Sequence, residues 1–271
     1  IDVRGHNVDW NVGGSVTVDT IAIGQTTTSS KIVGSMNLDA ASVTADTIVL
    51  GDSTAAGQDG GGDVSSLHLG STPALNVNTL TVGGRKSRGE LDVDPGTSLT
   101  LRDRAGTGRA DLYIGRNNIN TGTTARGTME LTGSATFDAM LDELALGQRS
   151  TGGSWNGTAQ GTLKLGANNT IDANAILMGD SDKAEVPASA QSTIELNGTT
   201  ALSVGTMTIS GRKGKALVEF GSGGGVLNLG TASDRVDLRV GYNSANTSTH
   251  SIGHLDGTGG TINAFVDQVV L

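Results

Sequence analysis

Apolar residues recur along this chain as the tripeptide apolar-x-apolar, usually closed by Gly. The copies include Ile21-Ala22-Ile23-Gly24, Ile48-Val49-Leu50-Gly51, Leu80-Thr81-Val82-Gly83, Leu112-Tyr113-Ile114-Gly115, Leu144-Ala145-Leu146-Gly147 and Ile176-Leu177-Met178-Gly179. Met207-Thr208-Ile209, Leu238-Arg239-Val240-Gly241 and Val269-Val270-Leu271 continue the series. Successive copies begin 27, 32, 32, 32, 32, 31, 31 and 31 residues apart, a register that a chance pattern does not hold. Two further tripeptides precede each copy, for example Val8/Trp10 and Val16/Val18, Leu91/Val93 and Leu99/Leu101, or Leu163/Leu165 and Ile171/Ala173. This period-2 spacing predicts three short strands per coil, each with its apolar residues on one face. Turn formers such as Asp94-Pro95-Gly96-Thr97-Ser98 and Asn197-Gly198-Thr199-Thr200 separate the first two strands.

So short a strand cannot bury its inner face alone, but stacked coils align like with like into a continuous aliphatic interior. No segment shows a helical period, which sets aside a parallel sheet covered by helices. The expected fold is all-β, a single parallel β-helix (β-solenoid) over residues 1–271, three-sided and, from the crossover preference, right-handed. About nine coils at ~4.8 Å each would make a stack on the order of 43 Å long. Ile1-Asp2-Val3 reads as the last strand of an earlier coil, only 20 residues before Ile21, so the longer coils carry inserted loops on one edge. After Arg85-Lys86 and Arg212-Lys213, which lie 127 residues apart, the insert moves to 102–111 and 230–237. That spacing points to a super-repeat of four coils. Neither end carries a cap, so the expectation is that the chain continues or that coils stack between subunits.

Composition narrows the function. The 271 residues include 42 Gly, 3 Pro, seven aromatics and no Cys, with a net charge of −9. That acidic balance argues against binding nucleic acid or a membrane surface, both of which need clustered positive charge. No apolar run is long enough to span a membrane. Zero Cys removes disulfides, thiolate metal sites and cysteine nucleophiles. No Gly-Lys-Ser/Thr phosphate loop occurs.

The middle residue of each tripeptide faces outward, so each face reads as a column. The first runs Asp9, Asn37, His68, Asp92, Glu130, Lys164, Glu195, Glu219, His254; the second includes Thr100, Asp138, Asp172 and Ser203. The third contains Val49, Tyr113, Ala145, Leu177 and Val270, a largely apolar stripe. Such a stripe is either a self-association face or is folded over by the long loops. Asp138 and Asp172 are expected ~4.8 Å apart on adjacent coils, a spacing that would suit a retaining glycosidase or hold Ca²⁺. The plainer reading, favoured here, is a solvated charge ladder with neither catalysis nor a metal. Two basic turns, Arg85, Lys86, Arg88 and Arg212, Lys213, Lys215, would contact an acidic glycan or a neighbour's carboxylates, or pair locally with Glu90 and Glu219. Trp155 is the expected exposed loop aromatic, placed to stack on a sugar or a second subunit or to fold back on its own coil.

Segments such as Gly161-Thr162-Leu163-Lys164-Leu165-Gly166-Ala167-Asn168-Asn169-Thr170-Ile171, echoed at 127–133 and 192–198, resemble the autotransporter-associated β-strand repeat. The resemblance implies export and a place on or outside a bacterial cell. Together these readings lead to the expectation of a non-enzymatic structural β-solenoid: a homo-oligomer or polymer packed end to end or laterally, as a fibre, sheath, surface layer or adhesin stalk. A glycan-binding or polysaccharide-degrading β-helix is the alternative.

Overall fold

The computed structural model describes residues 1–27, 32–54, 63–70, 74–118, 123–150, 157–182, 186–243 and 250–271. The chain is all-β and forms a parallel β-solenoid of about seven turns. Among the described residues the only helix is the 3₁₀ turn Ala188–Ala190, and none is long and apolar enough to cross a membrane. Several predicted strand pairs are continuous. Ser35–Ser53 and Ser192–Ile209 each run through all three predicted strands of a coil without a break.

The glycine that closes the repeating tripeptide has a physical cause. Gly24, Gly51, Gly83, Gly115, Gly147 and Gly179 all have φ between +54° and +74°, a left-handed conformation that costs other residues roughly 1–2 kcal/mol. Each also lies against a neighbouring first strand. A Cβ on Gly83 would stand 1.7 Å from the Arg126 carbonyl oxygen, and one on Gly115 would stand 1.9 Å from that of Gln160. Ser210 makes the same turn at φ 66°, with its hydroxyl 2.7 Å from that of Ser251.

The third-strand ladder holds one register throughout. Ala22, Val49, Thr81, Tyr113, Ala145, Leu177, Thr208, Arg239 and Val270 stand opposite one another in turn, as the tripeptide pattern predicts. The first-strand ladder likewise aligns Asp9, Asn37, His68, Asp92, Glu130, Lys164, Glu195 and Glu219. His254 is a correction: it lies opposite Leu217, two residues away from Glu219.

The middle ladder departs further from expectation. Thr100 opposes Asp138, but Asp138 opposes Thr170, and Asp172 opposes Met140 and Ser203. The reason is that these strands have three inward positions where an apolar reading finds two. Phe137, Ala139 and Leu141 face Asn169, Ile171 and Ala173, and all six are buried. Asn169 takes the first inward place as a polar residue; its amide donates to the Thr200 hydroxyl (3.0 Å) and the Gly166 carbonyl (3.0 Å). A buried amide is tolerated when its hydrogen bonds are made, and this one is invisible to a search for apolar pairs.

Inside the ladders one apolar cluster runs from Val3 to Leu238. At both ends its inward positions open to solvent: Trp10, paired with buried Leu38, is 37% exposed, and Val269, paired with Leu238, is 52% exposed.

Candidate functional site

The register separates the carboxylates that the column reading placed together. Asp138 in the strand Thr136–Arg149 and Asp172 in the strand Asn168–Ser181 are two residues out of step, so they do not stack. Both are already occupied. Arg102 Nη2 donates to Asp138 Oδ2 at 2.5 Å, and its Nη1 donates to the Asp138 carbonyl at 2.8 Å. Arg109 Nη2 donates to both carboxylate oxygens of Asp172 (2.9 and 2.8 Å), while its Nη1 holds the carbonyls of Leu141 and Asp172. Arg102 and Arg109 flank the inserted turn that Asp103 closes by accepting from the Thr107 and Gly108 amides. Each bidentate guanidinium therefore ties that insert to the next coil or the one beyond. Among the described residues no three His, Asp or Glu side chains converge as metal ligands.

The two basic turns carry a second pair of cross-coil contacts. Arg85 clasps the Asp52 carboxylate with Nε and Nη2, and Arg212 clasps Asp180 in the same way. These partners replace the expected Glu90 and Glu219. Both aspartates follow a left-handed Gly in the sequence Gly-Asp-Ser, at 51–53 and 179–181. The facing residue must be small: a Cβ on Gly84 would meet Asp52 Oδ1 at 2.8 Å, and one on Gly211 would meet Asp180 Oδ1 at 2.5 Å. Beside the first clasp Lys86 is only 8% exposed, and burial pushes its ammonium down from the usual lysine range. Arg88 and Lys215 are half-buried, and Lys213 takes φ 41° in the turn.

A polar cleft of about 260 Å³ opens beside the first clasp, lined by Val49, Asp52, Thr81, Gly84, Arg85, Arg116 and Asn118. Arg116 lies flat over the Tyr113 ring, its Cζ 3.7 Å from the centroid. Burial pushes the Tyr113 phenol up to about 12; Arg116 opposes the shift, and Asp111 and Glu143 add to it. One super-repeat onward the pair is exchanged: Arg239 occupies the Tyr113 position and lies 5.2 Å from the ring of Tyr242, which takes the Arg116 position.

A second cleft of about 240 Å³ includes Asp9, Trp10, Asn37, Asp39, His68 and Asp94. His68 bridges Asp92 and Asp94, each 3.0 Å away. Burial pulls its imidazole down, but the two carboxylates outweigh burial and hold it above its ordinary value. Farther along the same column Lys164 binds Glu130 at 2.8 Å.

The apolar stripe is not open surface within the chain. Tyr113 and Ala145 are 6% and 1% exposed, and Val49, Leu177 and Val270 are half-buried. Trp155 lies outside the described residues. Sequence reasoning saw Asp52 and Asp180 only as parts of Asp-rich loops with weak or no cation binding and did not pair them with the basic turns; it missed Arg102, Arg109 and Arg116. The repeated Gly-Asp-Ser preceding each basic turn by one coil was the available signal for the two aspartates. No protein-family model matches the chain, and no significant match links it to a curated protein or a solved structure.

Proposed function

We propose that this chain is a non-enzymatic, extracellular structural β-solenoid: a subunit of a bacterial fibre, sheath or surface layer, or the stalk of an adhesin. We read the solenoid as three-sided and right-handed with nine coils, the terminal ones having open inward faces. The observation that carries the reading is that five ion pairs of the outer surface each bridge separate coils. Arg102–Asp138, Arg109–Asp172, Arg85–Asp52, Arg212–Asp180 and Lys164–Glu130 each join different coils. Carboxylates held by guanidinium groups stiffen a rod, whereas a general acid and its partner need freedom to exchange protons. The resemblance to the autotransporter-associated repeat supports an exported, bacterial setting. Electron microscopy tests the proposal: regular fibres or sheets that lengthen with protein concentration are expected, with an axial repeat on the order of 43 Å if nine coils stack end to end. Discrete rods at every concentration would overturn assembly through the ends. The glycan-directed alternative rests on the cleft where Trp10 stands exposed beside Asp9, Asn37 and Asp94. Binding or cleavage of polysaccharide that is lost in Trp10→Ala would favour it.

A further inference from the structure

Arg116 is a cation without a direct ion pair among the described residues, although Asp111 is near enough to attract it. It follows the left-handed Gly115 in the strand Ala110–Asn117, and that turn brings its guanidinium onto Tyr113. Its Nε is buried and makes no hydrogen bond, and among the described residues it forms no ion pair. Of the nearby carboxylates, Asp52 is clasped by Arg85, Glu143 accepts from the Gln148 amide at 3.3 Å, and Asp111 and Glu143 share the single proton of the Tyr113 hydroxyl. In a chain of net charge −9 the lining of the cleft itself holds two guanidinium groups, Arg85 and Arg116, against the one carboxylate of Asp52. A desolvated donor that lacks an acceptor is unfavourable, and an arginine fixed against an aromatic ring is already oriented for a planar, two-oxygen acceptor.

The geometry points to a carboxylate-binding subsite at Arg116 that takes a sugar acid of the uronic type. The carboxylate meets the free edge of the Arg116 guanidinium, with Arg85 alongside adding positive potential. Thr81 and Asn118 supply a hydroxyl and an amide for the sugar hydroxyls, and Val49 supplies an apolar patch for a ring face. At about 260 Å³ the cleft accommodates one such ring, since sites for larger, drug-sized ligands begin near 300 Å³. This binding role is separate from assembly, because the clasp and the third-strand ladder are complete without the ligand.

Titration calorimetry with sodium glucuronate, glucose and sodium sulfate tests the assignment on the whole chain. Saturable glucuronate binding with Kd on the order of 1 mM, and none with glucose, is expected. Arg116→Gln should weaken it about ten-fold or more, the scale of losing one charge-assisted bidentate pair. Asn118 is exposed, so Asn118→Asp leaves the fold intact and should weaken glucuronate through repulsion; it decides the matter if Arg116→Gln does not fold. No glucuronate binding to the wild type, or unchanged binding in both variants, overturns the site. Binding of sulfate with none of glucuronate overturns the sugar-acid assignment.

Discussion

A methyl group on Gly83 has nowhere to go. At φ +74° the alanine backbone itself is strained, and the added Cβ would stand 1.7 Å from the Arg126 carbonyl oxygen. That carbonyl belongs to the strand Ala125–Glu130, which is hydrogen-bonded to the strands Arg88–Val93 and Ala159–Lys164 on its two sides, so it cannot retreat without disturbing three coils. Two other glycines separate the contributions. Gly96 has φ +80° with no atom within 4 Å of its Cβ position, and Gly13 has open space and no positive φ. Gly96→Ala should therefore cost only the conformational strain, about 1–2 kcal/mol. Gly13→Ala should be neutral or stabilise by up to about 1 kcal/mol through the unfolded chain. Gly83→Ala adds the clash to the strain and should reach about 4 kcal/mol or more, the range reserved for broken packing. For a chain of this size each kcal/mol moves the melting temperature by roughly 2–4 °C. Thermal and urea unfolding of the three variants, followed by circular dichroism, supplies the comparison, with midpoints used because solenoids need not unfold in one step. A Gly83→Ala midpoint no lower than that of Gly96→Ala would refute the argument that the closing glycine is fixed by contact with the adjoining coil.

Two further outcomes follow from the electrostatics. His68 is held above its ordinary 6.5 by Asp92 and Asp94 despite burial, so its contribution to stability is present in full below that pH and is lost as pH rises through the raised folded-state value. His68→Gln should flatten the stability profile in that window, and an unchanged profile would count against the bridge. Asp52→Asn and Asp180→Asn each leave a clasping arginine without its anion at a side-chain exposure of 10% or less for the aspartate. Each should cost about 2–3 kcal/mol in denaturant unfolding, whereas replacing the exposed Asp2, paired with Arg4, should cost well under 1 kcal/mol.

The site was less legible than the fold. The outward column through Val49, Tyr113, Leu177 and Arg239 could be read directly, because these third strands are each bounded by the same left-handed turn and cannot drift. Asp138 and Asp172 could not be placed from pattern alone. The partners of the charged residues were equally hidden: Arg102 and Arg109 lie at the edges of an insert, and Arg85 reaches back a full coil to Asp52. Whether the apolar stripe is covered stayed open in the sequence, because period-2 alternation assigns a face without saying what covers it.

The sequence by itself determined the all-β class, the parallel stacking of coils and which residues point inward, since alternation at period 2 and a constant coil length are local and repeated. Tertiary structure decided the register of the middle strands and, with it, the separation of Asp138 from Asp172. A slip of two residues leaves the inward and outward faces unchanged, so hydrophobic pattern cannot distinguish Asp138 opposite Asp172 from Asp138 opposite Thr170. Hydrogen bonds of buried Asn169 and the reach of individual arginines make that choice.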